Sequence, residues 1–81
     1  MSPRVLAATS LENYRVQLSF SNGEKRSLDM SPYLSFGVFS RLKNQDIFRD
    51  VRVTFGTIEW PCGVDLDPDF VWEKSEPLLV V

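Results

Sequence analysis

Strict alternation of apolar and polar side chains over residues 14–20 is the feature that most constrains this fold. In the segment YRVQLSF, apolar side chains occupy every second position: Tyr14, Val16, Leu18 and Phe20. Successive side chains of a β-strand point to opposite faces, so this pattern predicts a strand with one buried face and one solvated face. A sheet that packs on one side is therefore the expected framework.

The turn that follows, Ser21-Asn22-Gly23, leads into a further strand predicted at residues 24–30. A two-residue loop would place Ser27 opposite Leu18 and bring polar side chains onto the core face. A three-residue loop places Leu28 opposite Val16 and keeps the apolar side chains together. Because a shift of one residue exchanges the two faces of a strand, the pattern predicts the three-residue loop, with its glycine in the left-handed conformation.

A second hairpin is predicted from the segment VRVTFGTIEW, residues 51–60. Glycine at the first loop position is typical of a type II′ turn, so Gly56-Thr57 is the expected loop. Phe55 would then face Ile58, and Val53 would face Trp60, with all four side chains directed to the core. The proline that follows cannot donate a ladder hydrogen bond and is expected to end the strand.

Two short helices are predicted to accompany the strands. Residues 36–43 place Phe36, Phe39 and Leu42 on one stripe, as in a helix that buries one side. Asp67 followed by proline is typical of an N-cap and a first helical position, so a second helix is expected over about residues 68–74.

With a first strand at residues 4–10, the elements follow the order β-β-β-α-β-β-α. We therefore predict one α+β domain over residues 1–81, with a mostly antiparallel sheet of about five strands and both helices packed on one face. The apolar tail, residues 78–81, must pair, pack or contact a partner.

Missing residue types narrow the function. The chain has no histidine and one cysteine, Cys62, which removes an internal disulfide, Cys–His and Ser–His pairs and most zinc sites. No basic or histidine side chain in nearby sequence would activate that thiol, so we interpret it as passive. No apolar run reaches the ~18 residues of a membrane helix. The expectation is a cytoplasmic protein without a cofactor, and a non-enzymatic function is favoured.

Charge is distributed unevenly along the chain. Residues 1–53 carry eight basic and five acidic side chains, a net +3, whereas residues 54–81 carry one basic and six acidic side chains, a net −5. An acidic surface repels phosphate backbones and favours basic protein partners, so nucleic-acid binding is disfavoured. The candidate interaction surface consists of these residues: Asp65, Asp67, Asp69, Trp72, Glu73 and Glu76. The tryptophan is included because exposed tryptophan is enriched at interfaces.

The same acidic residues also imitate a calcium loop. Asp65, Asp67, Asp69 and Glu76 have the spacing of positions 1, 3, 5 and 12, but Phe70 stands where the sharp turn needs glycine. Capping and turn roles are therefore favoured. A small-molecule or metal-binding domain that uses the Trp60–Asp69 loop is the alternative hypothesis, although Trp60 itself is expected in the core.

Three motifs resemble the small bacterial domain-of-unknown-function family 2442. The first is F-x-x-G, here Phe20 and Gly23; the second is a run similar to L-x-D-x-S-P-x-L, here residues 28–34; the third is G-T-I-x-W-P-x-G-x-D-x-x-P, here residues 56–68. The resemblance implies an α+β fold and defines no catalytic residues. It also implies that members often lie beside another small protein, in arrangements like toxin–antitoxin pairs.

Some members of that family carry a C-terminal helix-turn-helix, which we do not expect here because the sequence stops at Val81. The leading hypothesis is a non-enzymatic protein-interaction module, as one half of a toxin–antitoxin-like pair. Its partner would be a basic protein encoded by a neighbouring gene, or a second copy of the chain paired through an open sheet edge.

Overall fold

A computed structural model describes residues 2–78 of the chain. Its strands are these: β1 Val5–Leu11, β2 Arg15–Phe20, β3 Lys25–Asp29, β4 Arg52–Thr54, β5 Thr57–Trp60, β6 Val64–Asp65 and β7 Glu76–Pro77. Its α-helices are α1, Gln45–Phe48, and α2, Pro68–Lys74. Short 3₁₀ helices span Glu12–Tyr14, Ser31–Tyr33 and Gly37–Lys43. The predicted α+β class is confirmed.

The strands form two antiparallel sheets. One has four strands in the order β1-β2-β3-β7, and the other has three in the order β4-β5-β6. The strand count therefore differs slightly from the predicted five. The two additional strands, β6 and β7, are each two residues long, which is too short for an alternating pattern to mark. Residue 78 of the predicted apolar tail is partly exposed, and residues 79–81 lie outside the described part of the chain.

The β2–β3 hairpin has the predicted three-residue loop. Val16 pairs with Leu28, and the Phe20 N–H donates to the Glu24 carbonyl at 2.9 Å. Gly23 closes the loop at φ 89°. Val16, Leu28 and Phe20 are all buried, so the register keeps the apolar face intact.

The β4–β5 hairpin corrects two predictions. Its loop is Phe55-Gly56, at φ 44° and 76°, instead of Gly56-Thr57. Val53 therefore pairs with Ile58, and it is 40% exposed, while Phe55 is 90% exposed instead of facing the core. Positive φ at both loop residues is the geometry of a type I′ turn. The physical reason for the shift is Thr57, which is buried and donates its hydroxyl to the Leu66 carbonyl at 2.8 Å.

The segment at residues 36–43 also differs in part from the prediction. It is a 3₁₀ helix, and its apolar residues divide: Leu42 is buried, Phe39 is partly buried, and Phe36 is 64% exposed. With three residues per turn, a 3₁₀ helix aligns residues i and i+3, but this helix begins only at Gly37. Phe36 thus precedes the first turn, at an extended φ of −109°.

One core of buried side chains joins the two sheets. Trp60, 1% exposed as predicted, donates its indole N–H to the Phe48 carbonyl at 2.8 Å. The rings of Phe48 and Trp60 stack with centroids 5.7 Å apart, and Tyr14 packs edge-on against Phe48. The helix α1 is thereby fixed between the two sheets. Within residues 2–78, no helix is long and apolar enough to cross a membrane.

Candidate functional site

The predicted acidic surface lies around helix α2. Asp65 ends β6, Asp67 caps α2, Asp69 and Glu73 lie in α2, and Glu76 begins β7; all five are exposed. The Asp67 carboxylate accepts the Asp69 N–H at 2.8 Å, which confirms the predicted N-cap. Asp69 in turn accepts a hydrogen bond from the Ser2 hydroxyl. Two of the five carboxylates therefore have local structural roles.

The remaining three carboxylates, of Asp65, Glu73 and Glu76, accept no hydrogen bond and form no ion pair with any described residue. The two ion pairs found within residues 2–78 lie elsewhere, at Arg26–Glu24 and Arg49–Asp46. In the same part of the chain, no three acidic or cysteine side chains come together as a metal site would require. These three carboxylates are exposed and unpaired among the described residues.

Trp72, the sixth predicted residue of this surface, is half-buried. Its ring packs edge-on against Phe20 at 5.0 Å between centroids, and the guanidinium carbon of Arg26 lies 3.6 Å from its centroid. Arg26 also donates to the Ser75 carbonyl at 3.1 Å. Phe20 and Arg26, both from the sheet, thus contact the ring, and the tryptophan anchors α2 to the sheet.

The Trp60–Asp69 loop offers no open tryptophan ring. Trp60 is buried, and its N–H is already bonded. Cys62 is half-buried in the turn after β5, and its carbonyl accepts a hydrogen bond from the Arg41 guanidinium at 2.7 Å. The clefts described below are not lined by residues of this loop.

Among residues 2–78, the most exposed large apolar side chain is Phe55, at the tip of the β4–β5 hairpin. It is one of three non-glycine residues with positive φ within residues 2–78. The Val5 N–H donates to the Gly56 carbonyl at 2.9 Å, which holds the tip beside the start of β1. The Arg4 guanidinium lies over Gly56, so close that a Cβ there would come within 3.0 Å of it. Leu6, in β1, is 64% exposed nearby.

Strand β1 is an outer strand of its sheet, and the β4–β5 hairpin contacts it. The Phe20 N–H points toward β3. Successive residues of a strand direct their backbone groups to opposite sides, so those of Ser19, Gln17 and Arg15 point toward β1. Their partners are Ala7, Thr9 and Leu11. It follows that Ala8 and Ser10 direct their N–H and C=O groups away from β2. No described residue supplies a hydrogen-bond partner for these four groups.

A cleft of about 580 Å³ opens at the far end of β1. It is lined by these residues: Ser10, Leu11, Glu12, Asn13, Tyr14, Gln45, Phe48 and Arg49. Its rim contains the other two positive-φ residues, Asn13 at 61° and Tyr14 at 59°. The Tyr14 hydroxyl donates to the Lys43 carbonyl at 2.6 Å, which fixes the ring against α1. A second cleft, of about 310 Å³, adjoins β7.

Sequence reasoning missed both the hairpin tip and this cleft. The pair Phe55-Gly56 carries a weak signal of the exposed tip. If the loop begins one residue earlier than the predicted Gly56-Thr57, Phe55 lies in the loop itself and has no cross-strand partner. The cleft carries none, since its walls come from two segments, residues 10–14 and 45–49, that are far apart in sequence.

The comparisons with known proteins bear on the whole chain. No curated protein and no solved structure gave a match. Residues 5–77 match the family described as "Protein of unknown function (DUF2442)". This match covers nearly all of the chain, and the chain therefore belongs to the DUF2442 family.

Proposed function

We propose that this chain is a non-enzymatic protein-interaction module and that the tip of the β4–β5 hairpin is its main contact. The observation that carries the proposal is Phe55, which is 90% exposed at a φ of 44°. A bulky residue is rare in this conformation, and a strained residue of this kind costs roughly 1–3 kcal/mol. Folding alone favours Asn-Gly in a type I′ loop. An exposed aromatic ring held at that cost supports an interface role.

We further propose the acidic surface around α2 as a second contact, suited to a basic protein. The carboxylates of Asp65, Glu73 and Glu76 support this proposal, because they have no partner among residues 2–78. Unpaired carboxylates attract a partner of opposite charge and accelerate its association. The family resemblance points to the product of a neighbouring gene, in a toxin–antitoxin-like pair within the cytoplasm, as that basic partner.

The experiment is co-expression with the neighbouring gene product, followed by affinity capture of a tagged chain. Phe55→Ala removes the hairpin contact, and Phe36→Ala is its matched control, because Phe36 is also exposed but lies in a different segment. The double reversal Glu73→Lys with Glu76→Lys tests the acidic surface. Its control is the double reversal Asp46→Lys with Asp50→Lys, on exposed acids near α1.

Loss of capture in the Phe55 or α2 variants, with both controls still binding, supports the proposal. Equal capture by all four variants contradicts it. The charge variants also separate the two surfaces, since a contact through the acidic residues weakens with added salt whereas an apolar contact does not.

A further inference from the structure

We propose that the partner of the hairpin tip is a second copy of this chain. The two copies would join their β1 edges antiparallel across a two-fold axis, and Phe55 of each copy would enter the cleft of the other. This inference rests on the proposed function, because it assigns an occupant to the same hairpin tip. It accounts for three features together: the outer edge of β1, the exposed Phe55 and the cleft beside Tyr14.

Of the sheet edges, β1 is the one suited to pairing with another strand. Three of the four sheet edges are blunted, as is typical of edges that must not pair. β7 has two residues and ends in Pro77, β6 has two residues and ends in Asp65, and β4 has three residues and begins with Arg52. β1 has seven residues, VLAATSL, with neither charge nor proline. Within residues 2–78, β1 is the edge best able to pair with another strand.

The free backbone groups of β1 set the register of the pair. Ala8 and Ser10 direct free backbone groups outward, so the pairing that uses both residues places Ala8 opposite Ser10 of the second copy. Four hydrogen bonds result, two from each copy. Thr9 then lies on the two-fold axis, opposite Thr9 of the second copy, as a non-hydrogen-bonded pair with Cα atoms about 4.5 Å apart. Ala7 lies opposite Leu11 of the second copy, on the exposed face of β1.

The hairpin tip and the cleft lie at opposite ends of β1. The hairpin tip lies beside Val5 and the cleft beside Leu11, so within one copy they are separated by about 20 Å of strand. Antiparallel pairing reverses one strand relative to the other. The tip of each copy therefore arrives at the cleft of the other, where the chain turns away from the edge at Glu12–Tyr14 and leaves room.

The hairpin tip and the cleft are chemically complementary. The cleft presents the partly buried ring of Tyr14 and the exposed side chain of Leu11, which suit a phenylalanine ring. Arg4 accompanies Phe55 at the tip. Glu12 lines the cleft, and Arg49, which also lines it, is paired with Asp46. The two copies thus bring opposite charges together at each end. Both contacts occur twice, as the two-fold axis requires.

The test begins with sedimentation equilibrium of the whole chain over a wide range of concentration. The expected result is a reversible monomer–dimer equilibrium. Phe55→Ala should raise the dimer dissociation constant at least ~10-fold, because a buried aromatic anchor is typical of an interface hot spot. Phe36→Ala should leave the constant unchanged. A wild-type chain that stays monomeric, or equal effects of the two variants, would overturn the inference.

A cysteine at the two-fold axis tests the register independently of the hairpin. In a Cys62→Ser background, Thr9→Cys should form a disulfide-linked dimer under mild oxidation, since its Cα separation lies within the range that a disulfide spans. Ser35→Cys, at an exposed position away from β1, is the control and should remain largely unlinked. Equal crosslinking of the two variants would contradict the proposed pairing.

Failure of this inference can be told apart from failure of the proposed function. A monomeric chain whose capture of the neighbouring gene product still depends on Phe55 overturns the dimer and retains the interaction module. A chain in which Phe55→Ala alters neither self-association nor capture overturns both.

Discussion

Arg26 lies across the ring of Trp72, with its guanidinium carbon 3.6 Å from the ring centroid, although 46 residues separate the two in sequence. The same guanidinium donates to the carbonyls of Trp72 and Ser75, at the C-terminal end of α2. A cation at this position satisfies carbonyls that the helix leaves unpaired and complements its dipole. One side chain of β3 therefore fixes the end of the helix that carries the acidic surface.

Replacing Arg26 should release α2. Arg26→Met keeps the apolar stem but loses the cation–π contact and the bonds to the helix carbonyls. The Nε of Arg26 is buried without a hydrogen-bond partner among the described residues, and removing that polar atom offsets part of the lost stability. We expect a net decrease in the free energy of unfolding of about 2 kcal/mol. Arg26→Lys should recover only part of it, because an ammonium cannot cover the ring as a planar guanidinium does. Urea unfolding of the three proteins measures both values.

Phe55→Asn should stabilise the isolated chain while it abolishes self-association. Asparagine adopts positive φ readily and is preferred before glycine in a type I′ loop, so the substitution relieves the strain at φ 44°. We expect the free energy of unfolding to rise by about 1 kcal/mol at concentrations where both proteins are monomeric. Urea unfolding at low concentration gives the stability, and sedimentation gives the association. A decrease in stability would show that Phe55 is held by its own fold instead of being kept for a partner.

The two hairpins show why one register could be predicted and the other could not. In β2–β3, only one loop length keeps Leu28 on the face of Val16, so burial alone decides the pairing. In β4–β5, the predicted and observed registers both place Val53 and Ile58 on one face. Only the predicted register buries Phe55, so burial favours the wrong one. The choice depends on the contact between Thr57 and Leu66, which no local pattern reveals.

The candidate site also has features that could be predicted from the sequence and features that could not. The positions of the acidic residues and the cap at Asp67 follow from local sequence and could be predicted. The packing of Trp72 could not, because its neighbours Phe20 and Arg26 come from the other end of the chain. Rules of turn propensity also fail at Phe55, where the chain adopts a strained conformation. Such failures are expected at positions retained for function.

Gly23 provides a separate test of backbone conformation, free of side-chain contacts. It has a φ of +89°, and a Cβ added there would meet no heavy atom within 4 Å. Gly23→Val should therefore lower the free energy of unfolding by about 1–2 kcal/mol through backbone strain alone. Gly23→Asn, which tolerates positive φ, should cost less. Thermal unfolding of the two variants gives the difference. Equal costs would indicate that loss of some other contact, and not the left-handed conformation, dominates.

Asp29 should make stability depend on acid. Burial raises the pKa of this carboxyl, but the hydroxyl and N–H of Ser31 both donate to it, and Arg15 is nearby; together they hold its pKa below the ordinary value. A carboxyl with a lowered pKa in the folded state contributes stability above its unfolded pKa of about 4, and this contribution disappears as the pH falls through the folded pKa.

Asp29→Asn keeps an oxygen that can accept the Ser31 N–H but carries no charge to titrate. The variant should be less stable than the wild type near neutral pH, and the difference should shrink as the pH falls below about 4. Urea midpoints measured across this range for both proteins isolate the contribution of Asp29, because the two proteins differ at that residue alone. A stability difference that stays constant with pH would show that the charge of Asp29 contributes nothing, and that only the geometry of its bonds to Ser31 matters.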